Sequence, residues 1–228
     1  MKKQKSHKNP LFSKFQTDSP EAIEFRRIFS KIQSLNNSQQ IKNVMISSAT
    51  AGEGKSTIST LLAITCSRYG NGKTLLIDSD LRRPQIHKIL KIEKETGLAD
   101  ILRGKIQPLE AIKNTDIKNL KVITAGNSNG SATRLLKVNK IKSVFTELQW
   151  VFETIIIDTP PIVPVNDSLI INLVADTTLL VIKAGKTQRE IVKRAIDLIQ
   201  DAGVKNLNLL VNNLNNVLPY YYGYKYYK

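Results

Sequence analysis

Nine consecutive residues, ATAGEGKST at positions 49–57, carry the most specific chemistry in the chain. Gly52 and Gly54 let the backbone curl until successive N–H groups face inward, and a helix starting directly afterwards adds partial positive charge. Such a cradle binds phosphate. Lys55 is placed to reach the outer phosphates, and Ser56 to put its hydroxyl on Mg²⁺. Gly52, Glu53, Gly54, Lys55, Ser56 and Thr57 therefore form the expected ATP-binding set. The usual pattern begins with Gly, and here Ala49 stands first. The Glu53 side chain would repel a triphosphate, so it is expected to point outward into solvent.

Two further stretches end apolar runs with acids. LLIDSDLRRP puts Asp78 at a strand end with Asp80 two residues on, and IIIDTPP puts Asp158 at another, with Pro160 and Pro161 forcing a turn. Carboxylates at the C-terminal edge of a parallel sheet face the crevice where ligands bind. Mg²⁺ needs few protein ligands beside phosphate oxygens and water, so Ser56, Asp78 and Asp158 suffice. Asp80 then remains to accept the proton of a hydroxyl attacking the γ-phosphate. Lys55, Asp78, Asp80 and Asp158 are the expected catalytic set. Arg82 and Arg83 either neutralise phosphate and orient these acids or face solvent.

The chain closes with LPYYYGYKYYK, where Tyr220, Tyr221, Tyr222, Tyr224, Tyr226 and Tyr227 concentrate six of its seven tyrosines. Pro219 and Gly223 punctuate the segment and Lys225 and Lys228 solvate it, which suits neither a core nor an edge strand. It reads as an accessible strip of acceptor hydroxyls.

The elements that must position these residues follow from apolar periodicity. Short apolar runs at 42–48, 73–78, 121–124, 154–158, 178–182 and 207–211 read as strands. Helical patterns at 20–35, 56–69, 133–148 and 188–202, with shorter ones near 87–90, 98–102 and 108–113, lie between them. Ser19 can cap the first helix ahead of Pro20. Near-continuous apolar strands alternating with helices imply an α/β fold with a mostly parallel central sheet and helices on both faces. Residues 1–19 read as a flexible basic arm, 20–218 as one domain and 219–228 as the tyrosine tail.

Composition excludes several classes. The 228 residues are 41% hydrophobic and 23% charged, an ordinary globular balance. The single cysteine, Cys66, excludes an intrachain disulfide framework and reads as a buried thiol. No apolar run is long enough to span a bilayer, and the basic N-terminus lacks a signal peptide's apolar region, so a cytoplasmic protein is expected. Thirty-four Lys and Arg against nineteen Asp and Glu give +15, a field that attracts nucleotides, nucleic acid, anionic membrane or acidic proteins alike.

Together, ATAGEGKST, LLIDSDLRRP, IIIDTPP and the tyrosine cluster resemble the bacterial tyrosine kinases of capsule and exopolysaccharide synthesis, P-loop proteins related to the partition and division ATPases. The resemblance runs from about Ser19 to the C-terminus. It implies a P-loop fold, ATP and Mg²⁺ as cofactors, and autophosphorylation of the tail tyrosines, donated to a neighbouring subunit. It also implies a membrane adaptor whose cytoplasmic tail activates the kinase and recruits it to the inner membrane face. A homo-oligomeric ring, a cognate tyrosine phosphatase and exogenous polysaccharide-pathway proteins complete the implied partners, and no specific nucleic acid is expected. Asn212 matches a position associated with adenine-side contacts. The family's Glu-x-x-Arg-x-x-Arg association motif aligns with Ile23, Arg26 and Phe29, keeping only Arg26. Two other readings stand beside this one: a partition-type ATPase binding DNA or membrane, and a non-enzymatic nucleotide-binding adaptor using its aromatic tail.

Overall fold

The structure is a computed structural model that describes Phe15 and residues 18–36, 41–130, 132–204 and 206–214. The tail tyrosines and most of the N-terminal arm lie outside the described residues. Seven strands form one sheet in the order β3-β4-β2-β5-β1-β6-β7. They are β1 (Asn43–Ser48), β2 (Thr74–Asp78), β3 (Lys113–Asn114), β4 (Leu120–Ile123), β5 (Thr154–Asp158), β6 (Thr177–Lys183) and β7 (Leu207–Asn212). Every pairing is parallel except β3 with β4.

The strands are apolar on both faces because both faces are covered. Along β2, Leu75 and Ile77 enter one core while Leu76 enters the other, as a period of two requires. The Leu76 face is packed chiefly by α1 (Pro20–Asn36), contributing Ile32, and α2 (Lys55–Tyr69), contributing Leu62 and Ile64, with Ile86 beside them. Helix α2 is buried along most of its length, and Cys66 within it is 2% exposed, with burial pushing its thiol up to about 12. Helix α1 begins as expected, the Ala22 N–H donating to Ser19 Oγ at 3.2 Å. Ahead of it Phe15 is buried and meets Phe25 edge-on at 5.5 Å, so the basic arm is tethered to the domain at that residue.

The opposite face carries α4 (Leu98–Arg103), α6 (Val138–Gln149) and α8 (Arg189–Asp201), which contribute Ile101, Phe145 and Ile199. Short elements α3 (Ile86–Leu90), α5 (Ala132–Leu135) and α7 (Asp167–Asn172), with a 3₁₀ turn at Pro108–Ala111, connect the rest. Three expectations change. The helix expected over 133–148 is two, α5 and α6, separated at Leu136 and Lys137. The helix expected near 108–113 is the 3₁₀ turn followed by the antiparallel strand β3. Helix α7 has no counterpart in the sequence reading.

For the site, strand order is what matters. Strand β5 lies between β1 and β2, with Asp158 in register with both Ile46 and Asp78. The segments leaving the C-terminal ends of β1, β2 and β5 therefore emerge side by side.

Candidate functional site

Those three exits enclose a cleft of about 790 Å³, within the size range of small-molecule sites. Gly52, Gly54, Lys55, Ser56, Thr57 and Asp80 line it, together with Arg82, Arg83 and the Pro160–Pro161 turn. The 49–54 loop bridges β1 and α2, and Gly52 (φ 81°) and Gly54 (φ 94°) both occupy the left-handed region where a side chain is strained. Gly54 is needed twice over. A Cβ there would lie 2.3 Å from Asn212 Nδ2, which donates to the Glu53 carbonyl at 2.8 Å.

Beneath the loop, one ammonium serves several carboxylates. Lys55 Nζ donates to Asp80 Oδ2 at 2.8 Å, lies 3.7 Å from Asp158 Oδ2, and is 3.3 Å from Ser56 Oγ. Asp78 and Asp158 are fully buried and Asp80 is 3% exposed. Burial alone would lower the Lys55 pKa, but Asp158 and Asp80 outweigh it and hold the ammonium above its ordinary value. Burial pushes the Asp158 carboxyl up, opposed by Lys55 and by the Ser56 and Ser59 hydroxyls. The Asp78 carboxyl rises to about 8, driven first by burial and then by the Asp158 charge, against the pull of the Ile86 N–H.

The acids differ in what their oxygens have left to offer. Asp78 is engaged at both: Oδ1 accepts from the Asp80 N–H at 3.2 Å, and Oδ2 from the Gln85 and Ile86 N–H groups at 3.1 and 3.0 Å. It thereby closes the 79–86 loop and starts α3. Asp80 Oδ1 accepts from the Arg83 N–H at 2.9 Å, leaving Oδ2 on Lys55. Asp158 Oδ1 is 3.0 Å from the Ser59 hydroxyl, while its buried Oδ2 has no hydrogen-bond donor among the described residues. An unsatisfied buried carboxylate oxygen beside a serine hydroxyl is an all-oxygen donor set of the kind Mg²⁺ takes.

A family model described as ParA, NUBPL iron-transfer P-loop NTPase, matches residues 40–223. CapB of Staphylococcus aureus, provisionally named a tyrosine-protein kinase, is 35% identical over 227 residues, covering 98% of this chain and 99% of its own. The tyrosine-protein kinase YwqD of Bacillus subtilis is 35% identical over 201 residues, 88% of this chain and 84% of its own. The chain belongs to the bacterial tyrosine-protein kinases, within the ParA-type P-loop NTPases. Among solved structures, the chimerical protein CapA2B2 superposes with a TM-score of 0.83 at 29% identity, over 90% of this chain and 89% of that one.

The kinase fold thus brings together Lys55, Ser56, Asp78, Asp80 and Asp158, and places Asn212 behind the loop rather than inside the cleft. Glu53 departs from expectation. Its side chain is 1% exposed, accepting from the Thr50 N–H at 3.0 Å and from the hydroxyls of Thr50 and Thr187. Turned into the protein, the carboxylate avoids the triphosphate and is satisfied by donors instead of water. Arg82 is exposed yet anchored: its Nε donates to Asp167 Oδ2 at 2.7 Å, and its guanidinium reaches the Thr133 hydroxyl. Ser59, Thr187, Asp167 and Thr133 went unnoticed in sequence. Only Ser59 had a signal, one turn beyond Ser56 on the same helix.

Proposed function

We propose that this kinase transfers the γ-phosphoryl group of Mg·ATP to its own C-terminal tyrosines, Tyr220, Tyr221, Tyr222, Tyr224, Tyr226 and Tyr227. The observation that carries the mechanism is the shared position of Lys55 Nζ between Asp80 Oδ2 and Asp158 Oδ2, at the mouth of a phosphate-binding loop. A bound triphosphate offers Lys55 other oxygens, and Asp80 Oδ2 is then released to accept the phenol proton. Tyrosine has a reference pKa of about 10, so alignment and a nearby carboxylate serve better than a free phenolate. Ser56 and Asp158 are the residues that would hold Mg²⁺, which supplies charge neutralisation at the β- and γ-phosphates. Asp78, with both oxygens on backbone N–H groups, holds the loop that carries Asp80.

Around this reaction we place the partners of the family. A membrane adaptor activates the kinase and brings it to the inner membrane face, neighbouring copies exchange tails, a tyrosine phosphatase resets them, and polysaccharide-pathway proteins are further substrates. No helix among the described residues is long and apolar enough to cross a membrane, so recruitment falls to the adaptor.

Intact mass after incubation with Mg·ATP, with and without an adaptor tail, tests the reading. Phosphate additions mapping to Tyr220–Tyr227 and absent in Lys55→Met are expected. Unchanged mass with steady phosphate release would replace it with a partition-type ATPase. Loss of both signals despite adaptor binding would leave a nucleotide-binding adaptor.

A further inference from the structure

The turn between β6 and α8 is clipped onto the phosphate loop. Thr187 Oγ1 donates to the buried Glu53 carboxylate and accepts from the Lys183 N–H at 3.0 Å. The Lys186 and Thr187 N–H groups fold back on the Lys183 carbonyl at 3.2 and 3.0 Å, and Gly185 allows the reversal at φ 70°. The Ala184 N–H donates to the Asn212 carbonyl at 2.9 Å, while Asn212 Nδ2 holds the Glu53 carbonyl. The turn is therefore fixed to the loop both directly and through the end of β7. A buried acid inside a loop that must attract phosphate is costly, and its partners show what it accomplishes: it locks the 183–187 turn in place.

What that turn presents is a cation. Lys186 Nζ lies 3.6 Å from the Cβ position at Gly52, a residue that lines the cleft. Among the described residues its ammonium has no hydrogen-bond or ion-pair partner, whereas Lys55 is occupied by Asp80 and Asp158. Gly52 stands three residues before Lys55, and both line the same cleft.

We propose that Lys186, presented by the Glu53–Thr187 clip, is a second phosphate-contacting cation that neutralises charge at the β- and γ-phosphates during transfer. In that step the phenol oxygen bonds to the γ-phosphorus and the bond from that phosphorus to the β–γ bridging oxygen breaks. The bonding pair stays on ADP, and the phenol proton passes to Asp80. Charge grows on the phosphate oxygens, where an ammonium on a flexible stem settles as it appears. The inference rests on the kinase reading above.

The test compares Lys186→Ala, Lys186→Arg and Thr187→Val in the full chain. Removing one preorganised donor to developing charge costs about 10²–10³ in rate, and for an exposed lysine the expected loss is about ten- to a hundredfold. Lys186→Ala should slow single-turnover phosphotyrosine formation to that extent while the Mg·ATP dissociation constant moves less than about threefold. Its affinity for ADP with aluminium fluoride should fall by the same factor as the rate, and Lys186→Arg should restore most of both. Thr187→Val should match the Lys186→Ala defect and speed amide exchange over residues 50–54 of the nucleotide-free protein. An unchanged rate in Lys186→Ala, or equal losses for ATP, ADP and the analogue, would overturn the proposal. So would an arginine variant no better than alanine. Analogue binding needs no tyrosine acceptor, so a chain that makes no phosphotyrosine would sink the kinase reading while the role of Lys186 is still read.

Discussion

Replacing Asp158 with Asn should abolish phosphotyrosine formation and make the nucleotide-free protein more stable. Asp158 is fully buried, with one oxygen near Ser59 and the other lacking a hydrogen-bond donor among the described residues. Its compensation is Lys55 at 3.7 Å, an attraction of about 4 kcal/mol at an effective dielectric of about 20. That ammonium is closer to Asp80, at 2.8 Å, whose own negative charge pushes the Asp158 carboxyl up further. Burying a carboxylate costs several kcal/mol, so a shared counter-ion leaves Asp158 a net liability, which its raised pKa expresses. A group whose folded pKa is raised favours folding below its unfolded value, near pH 4, and loses that contribution as pH climbs toward the folded value. Asp158→Asn removes the liability, so the gain should be about 1–2 kcal/mol at pH 8 and shrink toward zero near pH 4. Urea unfolding in EDTA without nucleotide, at pH 4.5 and pH 8, measures both ends. A variant less stable than the parent by about 1 kcal/mol at pH 8 would show that Lys55 overcompensates burial, and the electrostatic account of the site would fail.

The parent protein should show the same sign: with Asp78 raised to about 8 and Asp158 raised alongside it, thermal stability without ligand declines as pH rises from about 4 to 8, and Mg·ATP flattens the decline in a pH series of melting curves. Glu53→Ala frees the Thr50 N–H and the Thr187 hydroxyl, and a loss of about 1–3 kcal/mol in denaturant unfolding is expected, against almost none for a solvated loop glutamate. Asn212→Ala removes the donor to the Glu53 carbonyl and should cost about 0.5–1.5 kcal/mol of stability in denaturant unfolding. Cys66, with its thiol pushed up to about 12, should resist maleimide in the native state and react on unfolding.

The phosphate loop and the acid-ended strands were legible because their signals are local. An apolar run that stops at Asp78 or Asp158 states both the strand and its end, and parallel pairing does the rest. The adjacency of those ends, by contrast, depends on β5 lying between β1 and β2, which no local pattern encodes. The expected solvation of Glu53 failed for a similar reason: its partner Thr187 is 134 residues away, so charge repulsion from phosphate was legible and the satisfying hydroxyl was not. The break between α5 and α6 carries no proline or glycine to announce it. It falls where Leu136 is buried and the Lys137 N–H turns to the Leu135 carbonyl at 2.9 Å, so tertiary packing overrides a continuous helical pattern. Asp167, likewise, becomes intelligible only once Arg82 is seen to reach it from the loop after β2.

These features share one electrostatic logic. Around Lys55 three buried carboxyl groups meet a single ammonium, and the raised Asp78 and Asp158 pKa values express the shortage of positive charge in the ligand-free centre. At Gly52, on the same cleft, the deficit reverses: among the described residues Lys186 is a cation without an anion. A metal–triphosphate complements both halves, its cation answering the Asp158 side and its phosphates answering Lys55 and Lys186. Neither half is relieved by nucleotide or metal alone. The two ligands should therefore bind with positive coupling, and Asp158→Asn, by removing the acidic deficit, should reduce how much Mg²⁺ strengthens ATP binding more than it reduces metal-free ATP binding. Titrations of ATP with and without Mg²⁺ on both proteins read that coupling directly, and equal coupling in the two would separate Asp158 from the metal.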